Sequence, residues 1–286
     1  MLTTQEDHIT VLDRTGRFDV VSSVAFCPDG MHLPSGSGDG IRRWRLADEV
    51  DKQLGMGINS ICVSKDCRWI VCRTTQGASL WEEKIQEKAI EVEGANKAVA
   101  VDTSPDATRF ATGTGHDDTS IWNIVTSERL VGPLQHDTYV VGVKFSPNGE
   151  RAARTRLVAS STVTLATSSS RFTILKANSQ SPWLAITPIV WSNNAQQISA
   201  SGDDSKITAF DSSTRSQLAE SQVRDDGEVL SIALAANGKF LSTFAYDSVS
   251  FWDASTLAQI SPPIEDGERI RSMTHSRLQP SCYWKI

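Results

Sequence analysis

Cysteine and histidine, the side chains best suited to nucleophilic or metal chemistry, are sparse and dispersed along this chain. Cysteines stand at 27, 62, 67, 72 and 282, and histidines at 8, 32, 116, 136 and 275. Cys62, Cys67 and Cys72 are spaced more widely than the close pairs that hold zinc, and no histidine lies near them in sequence. Cys62 and Cys72 fit adjacent strands of one hairpin with Cys67 near its tip, where a thiol serves as a small hydrophobe. Ser35–Gly40, "SGSGDG", has the glycine content of a phosphate cradle. No Gly-Lys-Ser/Thr follows it and no helix begins there, so it reads as a turn. His116, Asp117 and Asp118 offer three donors to a cation, yet their register repeats that of other turns in the chain. Neither Gly-x-Ser-x-Gly nor His-Glu-x-x-His occurs. The expectation is a chain without metal, cofactor or catalytic residues.

Charge narrows the partners. Lys plus Arg number 28 against 34 Asp plus Glu, a formal net charge of −6. A binder of nucleic-acid backbones carries the opposite balance. Two basic groups, Arg42 with Arg43 and Arg45, and Arg151 with Arg154 and Arg156, lack the interleaved aromatics of a nucleic-acid surface. The first reads as a solvated strand edge and the second lies in the irregular fourth copy of a repeated unit; either could touch acidic partner segments. No stretch approaches the eighteen or so apolar residues of a membrane helix. The N-terminus, with Glu6 and Asp7, lacks the apolar run of an export signal. An odd number of cysteines in such a chain argues against a disulfide framework. The expected setting is intracellular, in the cytoplasm or nucleus.

The elements that position these residues recur. "VVSSVAFCPDGMHLPSGSGDGIRRWRL", Val20 to Leu46, reads strand-turn-strand-turn-strand, with Pro28-Asp29-Gly30 and Gly38-Asp39-Gly40 as turns. Weaker copies follow. First-turn positions fall at 28, 65, 105, 147, 193 and 236, in steps of 37, 40, 42, 46 and 43. The aromatic closing each hairpin falls at Trp44, Trp81, Trp122, Phe210 and Trp252, offset from the turn by 16 or 17 residues. Two independent landmarks keep step while connecting loops absorb the variation, as repeat architectures require. The copy at Lys239–Thr256, "KFLSTFAYDSVSFWDAST", is the best preserved. In the fourth copy, Val163–Ala166 and Phe172–Leu175 compete for the closing strand, and the pattern does not choose between them.

A Trp-Asp pair closing a hairpin at about forty-residue spacing resembles the WD40 repeat family, and the resemblance runs through most of the chain. It implies an all-β propeller over residues 1–286 as one domain. Six complete or near-complete blades are expected, the fourth (about 140–180) irregular, plus a seventh split between 8–13 and 269–286. In the family the third-strand Trp packs between blades and its indole N–H finds a Ser or Thr, with an Asp in the adjoining turn. Asp39, Asp117 and Asp247 match that turn Asp, each five residues before its Trp. Asp211 follows Phe210 and Asp253 follows Trp252, whereas Arg45, Glu82 and Asn123 replace the Asp elsewhere.

By the same resemblance, partners are proteins or peptides held on the face of inter-blade loops and Asp turns. Arg17, Phe18, His116, Tyr139, Asp203, Glu228 and Tyr246 are the candidate contacts, because they are large or polar and fall in those loops. The expected function is a non-catalytic interaction scaffold. One alternative is the sensor portion of a larger nucleotide-binding signalling receptor, whose repeat arrays this sequence resembles in texture. Another is a propeller hydrolase or lactonase.

Overall fold

Apolar runs such as Trp69-Ile70-Val71-Cys72 are continuous, not alternating, which suits strands buried on both faces of a sheet. A computed structural model of the chain describes residues 21–29, 31–38, 40–45, 53–54, 58–74, 77–82, 90–96, 98–114, 118–135, 140–156, 162–167, 172–176, 189–201, 205–223, 229, 231–235, 237–245, 248–265, 270–274 and 282–285. Those residues form six four-stranded antiparallel sheets and one two-stranded sheet. No helix occurs among the described residues, so none is long and apolar enough to cross a membrane.

The first blade is β1 (Val21–Val24), β2 (His32–Ser37), β3 (Gly40–Arg45) and β4 (Gln53–Leu54). The second is β5 (Ile58–Val63), β6 (Trp69–Thr74), β7 (Gly77–Glu82) and β8 (Ile90–Asn96). The third is β9 (Ala98–Thr103), β10 (Arg109–Thr114), β11 (Asp118–Asn123) and β12 (Arg129–Gln135). The fourth is β13 (Val140–Phe145), β14 (Arg151–Arg156), β15 (Thr162–Thr167) and β16 (Phe172–Lys176). The fifth is β17 (Ile189–Trp191), β18 (Gln197–Ser201), β19 (Lys206–Asp211) and β20 (Gln217–Gln222). The sixth is β21 (Ser231–Leu234), β22 (Phe240–Ala245), β23 (Ser248–Asp253) and β24 (Ile264–Glu265). Last come β25 (Ile270–Thr274) and β26 (Cys282–Lys285).

Each blade's first strand touches the first strand of the next, from β1 through β5, β9, β13, β17 and β21 to β25, and β25 touches β1. Seven first strands therefore close a ring. The closing strand expected of His8–Asp13 lies outside the described residues. Both candidate strands of the fourth copy are used, as β15 and β16. Pairing of β14 with β15 sets Ala166 opposite Ala152, the place Trp122 holds opposite Phe110 in the third blade. The connection before β15 spans 157–161, against 115–117 in the third blade. That longer turn displaces the fourth copy from the common offset.

Apolar clusters sit at the seams between successive blades. Ile41 meets Ile58, Ile61, Ile70 and Trp81 across the first seam. Trp69, Val71 and Leu80 meet Val101, Phe110 and Trp122 across the second. Ala111 and Ile121 meet Val143 and Phe145 across the third. Ala153 meets Trp191 and Phe210, and Ile207 meets Ile232, Leu241 and Trp252. Burying each large apolar side chain contributes about 1.5–3 kcal/mol, so the seams hold the ring together.

Seam contacts are matched in size near the ring centre. A Cβ on Gly36 would lie 2.5 Å from Ile58 Cγ2, and one on Gly113 would lie 2.4 Å from Val140 Cγ1. At the corresponding second seam the residues are Arg73 and Ala98, and Arg73 Nε donates to the Ala98 carbonyl at 3.1 Å. A small residue on one side accompanies a bulky one on the other.

Candidate functional site

The closing aromatics show first how these blades consume polar groups. Trp44 Nε1 donates to Ser35 Oγ at 2.9 Å, Trp122 Nε1 to Thr112 Oγ1 at 2.9 Å, and Trp252 Nε1 to Thr243 Oγ1 at 2.8 Å. Each hydroxyl lies nine or ten residues before its Trp. In the fifth blade the equivalent pair is Phe210 with Ala200, both apolar, so nothing is left unbonded. In the second blade Cys72 takes the hydroxyl position, and the buried Trp81 Nε1 has no partner. A buried donor left unmade carries a real free-energy cost.

The Asp that follows the aromatic caps the next turn. Asp253 Oδ1 accepts from the backbone N–H groups of Ser255 and Thr256, at 3.0 and 2.9 Å, and from both hydroxyls. The Ser255 hydroxyl, with the Thr256 amide and hydroxyl, holds its carboxyl down at about 2. Asp211 Oδ1 accepts the Ser213 and Thr214 amides and the Thr214 hydroxyl and is likewise lowered, chiefly by the Thr214 amide. Asn123 plays this part in the third blade with its amide oxygen. Arg45 and Glu82 depart from the pattern, and the residues that follow them lie outside the described set.

First-turn tips are built alike. Ser64, Ser104, Ser146 and Ser192 each accept the amide N–H five residues on and donate to the Asp or Asn two residues on. Burial alone would raise the Asp106 carboxyl. Bonds from Ser104 and Thr108, with the Arg109 charge, instead hold it at about 2. Cys27 and Ala235 stand where the other blades have this Ser, a position fixed by the bonds of Cys27 and Ala235 N–H to the His32 and Phe240 carbonyls.

The unpaired edges of the first strands are stitched across the seams. Ser23 Oγ accepts the Ile61 amide, and Thr103 Oγ1 donates to the Val63 carbonyl. Asp102, 4% exposed, accepts the Phe145 amide at 2.7 Å and binds Lys144 Nζ at 2.6 Å. Trp191 Nε1 in turn donates to the Lys144 carbonyl at 3.2 Å. The Asp102 carboxylate raises the Lys144 ammonium pKa against the opposing effect of burial. Burial foremost, then Asp102, pushes the Cys62 thiol up. Sequence reading passed over this pair. The available signal was a charge at two successive repeats where Ala25, Val190 and Ala233 are apolar.

All seven candidate contacts, Arg17, Phe18, His116, Tyr139, Asp203, Glu228 and Tyr246, lie outside the described residues, as do Asp39, Asp117 and Asp247. Trp44, Trp81, Trp122, Phe210 and Trp252 are buried at 8% exposure or less. The first basic group is not the solvated edge expected of it. Arg42 and Arg154 are buried, with Arg154 Nη1 donating to Thr119 Oγ1. Arg151 Nη1 donates to the Ser212 carbonyl in the fifth blade, bridging a seam.

One cluster of donors crosses the first seam. Cys27 Sγ, Cys67 Sγ and a carboxylate oxygen of Asp29 all lie within 4.8 Å of one another. His32 Nδ1 is 2.6 Å from Asp29 Oδ2. Cys67 does sit at the tip between β5 and β6, beside the Cys62 and Cys72 strands, but its sulfur faces the first blade.

No family model matches the chain. Over 156 residues it is 29% identical to "Eukaryotic translation initiation factor 3 subunit I" of Aspergillus oryzae, a match covering 51% of this chain and 46% of that protein. The chain thus spans about half the length of that curated relative. The solved structure described as "Structure of U3-55K" overlays with a TM-score of 0.76 at 13% identity, covering 92% of this chain and 87% of that one. Ring, seams and overlay define a β-propeller. Three of its blades carry the bonded Trp and two the turn-capping Asp of WD40 repeats, and the fold is that of a WD40-type propeller.

Proposed function

We propose that this propeller is a non-catalytic scaffold that presents a loop face to other proteins or peptides. The observation that carries the reading is the closed ring of first strands, whose seams fix every strand end relative to the others. His116, Asp203 and Tyr246 fall in the intervals between second and third strands, and Arg17, Phe18, Tyr139 and Glu228 in those that lead into first strands. In antiparallel blades these intervals join strand ends at one end of the ring. A rigid frame holding variable loops together is how such folds recognise partners without chemistry of their own. Consistent with this, Asp102, Asp106, Asp211 and Asp253 are engaged in capping and stitching bonds.

The test replaces the seven loop residues with Ala together and compares captured partners by mass spectrometry with the unaltered chain. The melting temperature should be retained and the partner set lost. An unchanged partner set would overturn the loop-face assignment, and turnover on an ester and lactone panel would favour the hydrolase reading instead.

A further inference from the structure

The position of the Cys27–Asp29–Cys67 cluster follows from how blades stack. Cys67 has φ +57° and occupies the left-handed place in its turn that Gly149 and Gly238 hold at φ +71° and +70°. At the third and fifth seams this turn residue packs on the first-turn tip of the preceding blade. A Cβ on Gly149 would lie 3.5 Å from Pro105, and one on Gly238 would meet the Asn193 side chain. The first seam repeats that arrangement with Cys67 set against the Cys27-Pro28-Asp29 tip. Two residues about forty positions apart, each replacing a Ser or Gly/Ala of the repeat, thereby bring two thiols and a carboxylate together.

We propose that Cys27, Cys67 and Asp29 form a binding site for a thiophilic divalent cation, zinc above all, on the first-turn end of the seam between blades one and two. Zinc held at about 2.3 Å from sulfur and about 2.1 Å from oxygen sets ligand edges of about 3.8 Å and 3.5 Å in a tetrahedron. Donors already within 4.8 Å need close by at most roughly 1.3 Å to reach them. Thiolate donors select zinc or cobalt over magnesium or calcium. Asp29 Oδ1 is occupied by the Met31 and His32 amides, at 2.8 and 3.1 Å, and Oδ2 by His32 Nδ1. A carboxylate has about four lone-pair sites, so one remains for a metal. His32 then acts as an orienting group, holding the carboxylate at a fixed angle. Cys27 is buried, Cys67 partly buried and Asp29 exposed, which leaves the fourth coordination position facing solvent. Binding exchanges two thiol protons for the cation, so uptake releases protons to the buffer.

Cobalt(II) titration of the reduced chain tests the site, because tetrahedral cobalt thiolates give a near-ultraviolet charge-transfer band and intense visible bands. One equivalent should produce them, and zinc should bleach them. Cys27→Ser and Cys67→Gly each install the residue other repeats carry, so both variants should keep the wild-type melt. Each should abolish the charge-transfer band or shift cobalt binding by at least an order of magnitude, while Cys72→Ser should leave it intact. His32→Ala should weaken binding by roughly tenfold or more with the spectrum preserved. A reduced chain that shows no bands, or shows them equally in the Cys27→Ser and Cys67→Gly variants, overturns the proposal. So does a chain that binds no cobalt yet forms a Cys27–Cys67 disulfide in air, which would mark a redox pair.

Discussion

Cys72→Thr should stabilise the propeller, against the usual direction of a core substitution. In blades one, three and six a Ser or Thr at this position accepts the Trp indole N–H; in blade two Cys72 leaves Trp81 Nε1 without a partner. Thr112 and Thr243 are fully buried, so the site tolerates a hydroxyl and a β-branched side chain in the strand. A hydrogen bond formed in place of an orphaned donor nets about 1 kcal/mol. With an unfolding entropy near 2.1 cal/mol/K per residue, that corresponds to a rise of about 2 °C in Tm at this chain length. Trp81→Phe supplies the decisive control. In that background there is no N–H to satisfy, and the added hydroxyl should cost about 1 kcal/mol where it gained that much before. Thermal and urea unfolding of the four proteins in this cycle reads out the coupling. A loss of stability in Cys72→Thr alone, or a gain that persists beside Trp81→Phe, would refute the reasoning.

Gly113→Ala should cost about 1–3 kcal/mol through overpacking against Val140, and Val140→Ala should restore most of it by copying the Arg73–Ala98 compromise in size; urea midpoints check both. Acid should weaken the fold through its turn carboxylates. Asp253 and Asp106 sit at about 2 in the folded chain, below the ordinary value near 3.9, so their stabilisation is present above about pH 4 and lost as pH falls through about 2. Asp253→Asn keeps the acceptor oxygen, as Asn123 does, and should reduce the drop in urea midpoint between about pH 5 and pH 2.

Much of the fold was legible because seams demand the same residue at the same place. Trp44, Trp81, Trp122, Phe210 and Trp252 hold one register whether or not an Asp follows them. The hydroxyl nine or ten residues earlier was equally readable, and it would have marked Cys72 as the exception. The fourth blade was harder. Its longer second turn moved the closing position to Ala166, where neither an aromatic nor the common offset announces it. Arg42 misled because a strand's charge pattern does not reveal which face a neighbouring blade covers. The Cys27–Cys67 approach depends on stacking between repeats, so spacing within either repeat carries no trace of it.

The matched seam contacts also say something about order. Gly36 meets Ile58, Arg73 meets Ala98, Gly113 meets Val140 and Ser201 meets the Val229 carbonyl. Transposing the second and third blades would set Gly36 against Ala98, leaving a void, and Gly113 against Ile58. Arg73 would then press on the larger Val140. Each seam works as an address read by its neighbour, so these repeats, alike in plan, are not interchangeable parts.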